Sequence, residues 1–236
     1  MKLPVSCLSV VLPAYNEASN LPMVINSLQE VLEKTGLIWE IVIVDDGSHD
    51  NTGPVLSKLK QDYPNIVICT HQINQGYGAA LKTGLIASKG DLVLMMDADG
   101  QIEADPLLEI LPVYTGNQFY LGYREHRQDK FHRKVFAWLW NRWIHLLFRV
   151  NVRDIDCAFK LFPRKAIDPD ALKAKGALFS TELLVRLRNS GVEIRQIPIK
   201  HYSRKAGTSS GGNIRVIFKA FYETFSLYQE LSARHD

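Results

Sequence analysis

Short apolar runs alternating with helix-length segments fill about the first hundred residues of this 236-residue chain. Leu8–Leu12 stops at Pro13, Glu40–Val44 runs into Asp45-Asp46-Gly47-Ser48, Ile66–Thr70 follows, and Leu92–Met96 ends at Asp97. Between the first two, Glu17–Thr35 sets Leu21, Val24, Ile25, Leu28, Val31 and Leu32 at helical spacing. A second helix, capped by Asp50 or Asn51, runs to Gln61, and Tyr77–Ser88 reads as a third. Strands that are apolar throughout and separated by helices predict a parallel sheet covered on both faces. Ligands of such sheets bind beyond the carboxyl ends of the strands. Those ends carry Tyr15-Asn16-Glu17, Asp45-Asp46 and Asp97-Ala98-Asp99. Stability alone gives little reason to gather mutually repelling carboxylates on one edge.

The second half is less regular. Strands are expected at Phe119–Gly122, Ala158–Phe162 and Ile194–Ile199, and helices at Phe131–Val150 and Thr181–Asn189. From Ile214 the tail puts Ile217, Phe218, Phe221, Phe225 and Tyr228 on one helical face. Without repeats, low-complexity tracts or an evident linker, a single domain is expected over residues 1–236. Residues of about 5–125 and 126–236 are expected as its two halves. Apolar residues make up 46% and charged residues 22%, ordinary for a globular domain, and a net charge of +3 gives no basis for a nucleic-acid partner. Cys7, Cys69 and Cys157 lack metal-site spacing and read as reduced thiols of a cytoplasmic protein. Met1-Lys2-Leu3-Pro4 leads straight into a strand, so no signal peptide is expected, and no run of about 18 apolar residues predicts a membrane span.

Asp97-Ala98-Asp99 is the most informative feature. Two carboxylates one residue apart on an extended turn can share a hard cation, Mg²⁺ or Mn²⁺, with Gln101 adding a carbonyl oxygen. Such an ion holds a diphosphate and neutralises its charge as it leaves. The plain alternative, a turn cap, loses ground to the apolar run Val93–Met96 before it and to the acids on the same edge. At Asp45-Asp46-Gly47-Ser48 a carboxylate selecting a ring N–H of a base stands level with an Asp-Gly turn. Gly76-Tyr77-Gly78 fails as a dinucleotide fingerprint, because Leu81 stands where a third glycine belongs.

Together the motifs Val10–Glu17, Ile43–Ser48, Asn74–Ala80 and Met96–Gln101 identify a resemblance to glycosyltransferase family 2. Within it, the chain is similar to the branch that glycosylates dolichyl or polyprenyl phosphate. Weaker echoes lie at Gly122-Tyr123-Arg124, Asp154–Lys160 and Arg204–Ser209, so the resemblance covers residues of about 5–215. It implies a Rossmann-like GT-A fold with a mostly parallel central sheet and helices on both faces. It also implies an inverting, metal-dependent hexosyltransferase that uses a UDP- or GDP-linked sugar. Pro13, Tyr15, Glu17, Asp45, Asp46 and Asp97 would line the nucleotide site, and Asp97, Asp99 and Gln101 would hold the metal. Arg124, Arg133 and Arg204 would act with Asp99 in catalysis, facing phosphates. The sequence departs from the branch at Ser210, where a lysine is usual; Lys205 can supply that charge from another position.

A hydroxyl acceptor requires a general base, whereas a phosphate monoester, with a second pKa of about 6, is already dianionic near neutrality. The sequence has no evident Glu-Asp base motif. Glu182 is a candidate base, or else a helix-dipole partner. Trp140-Asn141-Arg142-Trp143 resembles a processive-synthase motif but has Leu139 in place of the glutamine. Lys130–Arg153 holds six Lys/Arg and no acid, interleaved with Trp138, Trp140, Trp143 and three phenylalanines. This pattern fits an interfacial helix on an anionic membrane, or a core helix whose cations snorkel outward. The expectation is a protein peripheral to the cytosolic face, acting on a lipid phosphate, with a membrane-protein partner docking at Phe218, Phe221 and Phe225. Two other readings stand beside it: a soluble transferase to a glycan or protein hydroxyl, and a non-catalytic sugar-nucleotide-binding scaffold.

Overall fold

The computed structural model describes residues 3–125, 131–176, 178–203 and 223–229, with only the backbone of 131–137. Among the described residues seven strands form one sheet: β1 (Cys7–Ala14), β2 (Ile38–Asp45), β3 (Ile66–Thr70), β4 (Leu92–Met95), β5 (Gln118–Glu125), β6 (Lys160–Pro163) and β7 (Glu193–Lys200). Their order is β3-β2-β1-β4-β6-β5-β7. β6 runs antiparallel to both β4 and β5, and every other pairing is parallel, so six strands point one way. Around the sheet lie α1 (Leu21–Lys34), α2 (Thr52–Asp62), α3 (Tyr77–Ala87), α4 (Pro106–Ile110), α5 (Phe131–Phe148) and α6 (Phe179–Asn189). This is the GT-A fold the sequence implied.

Alternate strand residues feed opposite cores, as the two-residue period requires. Leu8, Val10, Leu12, Leu92 and Leu94 pack under α1, α2 and α4, while Val11, Val93 and Met95 pack with α3, α5 and α6. The chain moves leftward from β1 to β2 and β3, then returns to the other side of β1 for β4. That reversal opens a crevice at the carboxyl edge between β1 and β4. Pro13 helps open it. Pairing of β1 with β4 ends at Val11↔Met95, and Val11 O accepts Met96 N (3.1 Å). Pro13, two residues on, points its missing N–H the same way, beyond the last β4 pair, where no ladder bond is lost.

Several boundaries differ from the sequence reading for local reasons. α1 starts at Leu21, not Glu17: Asn16 is left-handed (φ 57°), Glu17 O accepts the N–H groups of Asn20 and Leu21, and Pro22 fits only a first helical turn. β6 begins two residues later than Ala158, and its reversed direction brings Lys160 to the acidic edge opposite Met95. The expected tail face is only partly within the described residues, since Ile217, Phe218 and Phe221 lie outside them. Residues 223–229 are helical, but Phe225 is exposed whereas Thr224 and Leu227 are buried, and Tyr228 meets Phe148 edge-on at 5.8 Å. Phe225 therefore does not share the packed face. The three cysteines are free thiols. Among the described residues no helix is long and apolar enough to cross a membrane.

Candidate active site

The loops after β1 and β2 are laced together. Asn16 N donates to Ser48 Oγ (2.9 Å), Asn16 Oδ1 accepts His49 N (2.8 Å), and Glu17 N donates to Thr52 Oγ1 (3.0 Å). Asp45 Oδ1 accepts Ser48 N (3.0 Å), closing the Asp-Gly turn that the sequence allowed. Tyr15 stands exposed with its ring edge-on to His49 at 6.2 Å. Glu17 is buried, its Oε2 accepting Asn20 Nδ2 (2.6 Å). Pro13, Tyr15, Glu17, Asp45 and Asp46 are thus brought to one corner, though with different exposures.

Asp46 is only 3% exposed. Its Oδ1 accepts Gln75 N (2.9 Å) and faces His71 Nδ1 (2.7 Å), and its Oδ2 accepts Gly76 N (2.9 Å). The carboxylate expected to face a base therefore holds the loop leading into α3. That loop delivers Tyr77, whose hydroxyl donates to Asp97 Oδ1 at 2.9 Å.

Asp97 and Asp99 lie just beyond β4 on one tight turn. Asp99 Oδ1 accepts Gln101 N (3.0 Å), and Gly100 takes the left-handed φ of 71° that the turn demands. Gln101 exchanges two bonds with Tyr202: Nε2 donates to Tyr202 O (3.1 Å), and Tyr202 N donates to Gln101 O (3.0 Å). Burial, then the neighbouring charge of Asp99, raises the Asp97 carboxyl to about 6, against the smaller opposing effects of Tyr77, Lys160 and Arg124. Two acids that repel each other under partial burial fit a divalent cation, which would reverse the unfavourable term. Among the described residues no three His, Cys, Asp or Glu gather into a metal site. A cation here would complete its shell from ligand phosphate oxygens and water, the habit of Mg²⁺.

Two cations, Arg124 and Lys160, lie close enough to Asp97 to act on its charge. Arg124, at the end of β5, forms a bidentate pair with Asp154 (Nε–Oδ2 2.7 Å, Nη2–Oδ1 2.8 Å). Burial opposes its charge, but Asp154 more than offsets this and holds the guanidinium firmly protonated. Lys160 is buried, donates to Cys157 O, and has its ammonium pKa lowered by burial despite the nearby acids. Arg153 lies 4.6 Å from the Tyr123 ring centroid. The side chain of Arg133 and all of Arg204 lie outside the described residues. Glu182 is fully buried; Oε2 accepts the N–H groups of Lys173 and Ala174 (2.9 and 2.8 Å), and Oε1 accepts Arg186 Nε (2.8 Å). It is thus a structural anchor and not a base in waiting.

Sequence reasoning gave no role to Tyr77, His71 or Lys160. Tyr77 had a readable signal, since it opens a helix at the carboxyl edge of the sheet. His71 and Lys160 reach the site through pairing and strand direction, which hydrophobic periodicity does not report.

Comparison with known proteins shows the family and the fold. The model of glycosyl transferase family 2 matches residues 9–173. A dolichyl-phosphate beta-glucosyltransferase of Trichomonas vaginalis is 33% identical over 210 residues, covering 82% of this chain and 65% of its own. The chain thus spans just under two thirds of the length of that relative. A polyprenol monophosphomannose synthase of Mycolicibacterium smegmatis is 31% identical over 221 residues, covering 87% and 82% respectively. Glucosyl-3-phosphoglycerate synthase of Mycobacterium tuberculosis, solved with Mn²⁺, UDP and phosphoglyceric acid, shares the fold. Its TM-score is 0.72 at 20% identity, over 96% of this chain and 87% of that one.

Proposed function

Since this chain belongs to glycosyl transferase family 2, we propose that it moves a hexose from a UDP- or GDP-linked sugar to a polyprenyl or dolichyl phosphate, with inversion. The observation that carries the reading is the Asp97–Asp99 turn at the β1/β4 crevice, an acidic pair beside the corner built by Tyr15, Asn16 and the Asp45–Ser48 turn.

In this reading the nucleoside lies over Pro13 and Tyr15, walled by the loop that Asp46 holds and framed by Asp45 and Glu17. Asp97 and Asp99, with Gln101 beside them, would hold Mg²⁺ or Mn²⁺, and that ion would supply charge neutralisation to the departing diphosphate. Tyr77 fixes the orientation of Asp97. A phosphate oxygen of the acceptor forms a bond to the anomeric carbon as the bond to the donor diphosphate breaks on the opposite face. No side chain needs to take a proton, because the attacking phosphate is already ionised. Two of the five N–H groups of Arg124 bind Asp154, leaving others to face a phosphate. Arg133 and Arg204 are assigned to the same task. The occupation of Glu182 by Arg186 and two backbone N–H groups favours this acceptor over a hydroxyl. The lipid acceptor implies work at the cytosolic surface of a membrane, with α5 as the contact.

The test is calorimetric titration with UDP and with GDP, with and without Mn²⁺, followed by transfer assays on a short polyprenyl phosphate and a panel of sugar hydroxyls. Metal-dependent binding with transfer to the phosphate is expected. Nucleotide binding without any transfer would leave a scaffold, and transfer only to hydroxyls would refute the lipid acceptor.

A further inference from the structure

The segment between β3 and α3 links the two ends of the site. His71 donates its backbone N–H to Asp45 O (2.9 Å). Its ring bridges β2 and α3, with Nδ1 at 2.7 Å from Asp46 Oδ1 and Nε2 at 2.9 Å from Thr83 Oγ1. A carboxylate can only accept, so the ring carries a proton on Nδ1 toward Asp46. Asp46 in turn grips Gln75 N and Gly76 N, both at 2.9 Å, and the next residue is Tyr77, whose hydroxyl reaches Asp97. The loop is also seated by contact. Gly47 has φ +71°, and a Cβ there would stand 2.5 Å from the Ile73 carbonyl carbon; Gly76 has φ +99°, with Lys175 O 2.8 Å from the corresponding point. Little slack remains between the imidazole and the Tyr77 hydroxyl.

We propose that His71 is a positioning residue for the divalent cation: through Asp46 and the Gln75–Gly76 backbone it sets where Tyr77 presents its hydroxyl, and so how Asp97 is aimed. This rests on the function proposed above and adds to it a residue that touches neither metal nor nucleotide. The same chain of bonds makes the turn after β2 and the turn after β4 one mechanical unit. Partners that orient a metal ligand typically change metal affinity by about 10- to 100-fold when removed.

The experiment is titration of Mn²⁺ into the full chain saturated with UDP or GDP, with thermal unfolding measured alongside. H71Q keeps a reach toward Thr83 but loses the donor to Asp46, and should raise the Mn²⁺ dissociation constant about tenfold. H71N places an amide N–H where Nδ1 stands, and should recover to within about threefold of the parent. Y77F, which removes one hydroxyl from a ring already 37% exposed, should match H71Q. The H71Q/Y77F double variant should be no worse than either alone, because both act on one bond. Thr83→Val, which frees only the far side of the ring, should weaken Mn²⁺ about threefold and be silent beside Y77F; it carries the test if H71Q does not fold. An unchanged dissociation constant in H71Q or T83V, or single effects that multiply in the double variant, overturns the proposal alone. A parent chain that binds no Mn²⁺ with either nucleotide overturns it together with the function it rests on.

Discussion

Asp97 carries a charge that its protein surroundings disfavour. Its carboxyl is raised from 3.8 to about 6 by burial and by Asp99. The folded protein therefore keeps that proton longer than the unfolded chain, so the metal-free fold loses stability as pH rises from about 4 to 6 and does not regain it above. Replacing Asp97 by Asn should stabilise the metal-free protein at pH 8 by on the order of 1 kcal/mol, about 2–4 °C in unfolding temperature, while removing Mn²⁺ binding. Scanning calorimetry in EDTA checks the first part, and a fall in unfolding temperature would contradict it. Asp99→Asn should lower transfer at least about 100-fold with the fold intact, because losing the cation's several kcal/mol at the leaving diphosphate spans two or more factors of ten. Near-normal turnover at saturating metal would refute the site. Glu182 behaves in the opposite sense. It neutralises Arg186 within the protein and holds two backbone N–H groups, so Glu182→Ala should cost about 3–5 kcal/mol of stability, the loss seen when one partner of a buried pair is removed. Denaturant unfolding reads this directly.

At the scale of elements, the amino end of α3 is where tertiary packing decides. Gly78 N and Ala79 N donate to Lys175 O (2.9 and 3.3 Å), and Lys82 Nζ reaches Leu172 O, so the segment anchored by Glu182 caps this helix. A Cβ on Gly78 would meet Ala174 O at 2.6 Å and Phe179 Cβ at 2.8 Å. Gly78→Ala should therefore cost about 1–3 kcal/mol by overpacking and weaken nucleotide binding, since Tyr77 must shift with the helix start. An unfolding temperature unchanged in Gly78→Ala would show that the segment yields. The sequence made these elements legible but not their meeting. β1 to β4 and the helices between them follow from apolar runs such as Val10–Leu12 and from the stripe Leu21–Leu32, which only a two-faced parallel sheet can bury. The same runs placed Asp45 and Asp97 at the carboxyl edge, because strand direction fixes where a strand ends. The reversal of β6, the pairing of Arg124 with Asp154 and the reach of Glu182 to Lys173 join residues far apart in the chain. No periodicity encodes such contacts, and each was decided by which buried group could find a partner.

At the scale of the molecule, α5 leaves β5 on the edge that carries the site and lies with Trp140, Ile144 and Phe148 packed into the core. Among the described residues the other side is exposed: Trp138 is 64% and Leu146 71% exposed, with Leu139, Arg142 and Arg149 exposed beside them. The core reading posed by the sequence therefore holds for one face of the helix, and the membrane reading is a proposal for the other. On the proposed membrane this outward set would put a tryptophan and leucines at headgroup depth and arginines toward anionic lipid. Arg153 lies over the Tyr123 ring and is left out of this proposed set. At about 1 kcal/mol for each basic residue near an anionic leaflet, Arg142→Glu should lower partitioning onto phosphatidylserine vesicles by about tenfold or more at low salt. Leu146→Glu should do the same by burying a charge, and raising the salt should release the parent protein as the Debye length shortens. Ile38→Glu alters an equally exposed apolar residue at the amino end of β2, away from the crevice. It should leave flotation unchanged. If Ile38→Glu and Leu146→Glu weakened flotation equally, the contact would be non-specific and α5 would lose its role. If Leu146→Glu alone did so, the lipid acceptor and the β1/β4 crevice would meet on one side of the protein, as transfer to a membrane-borne phosphate demands.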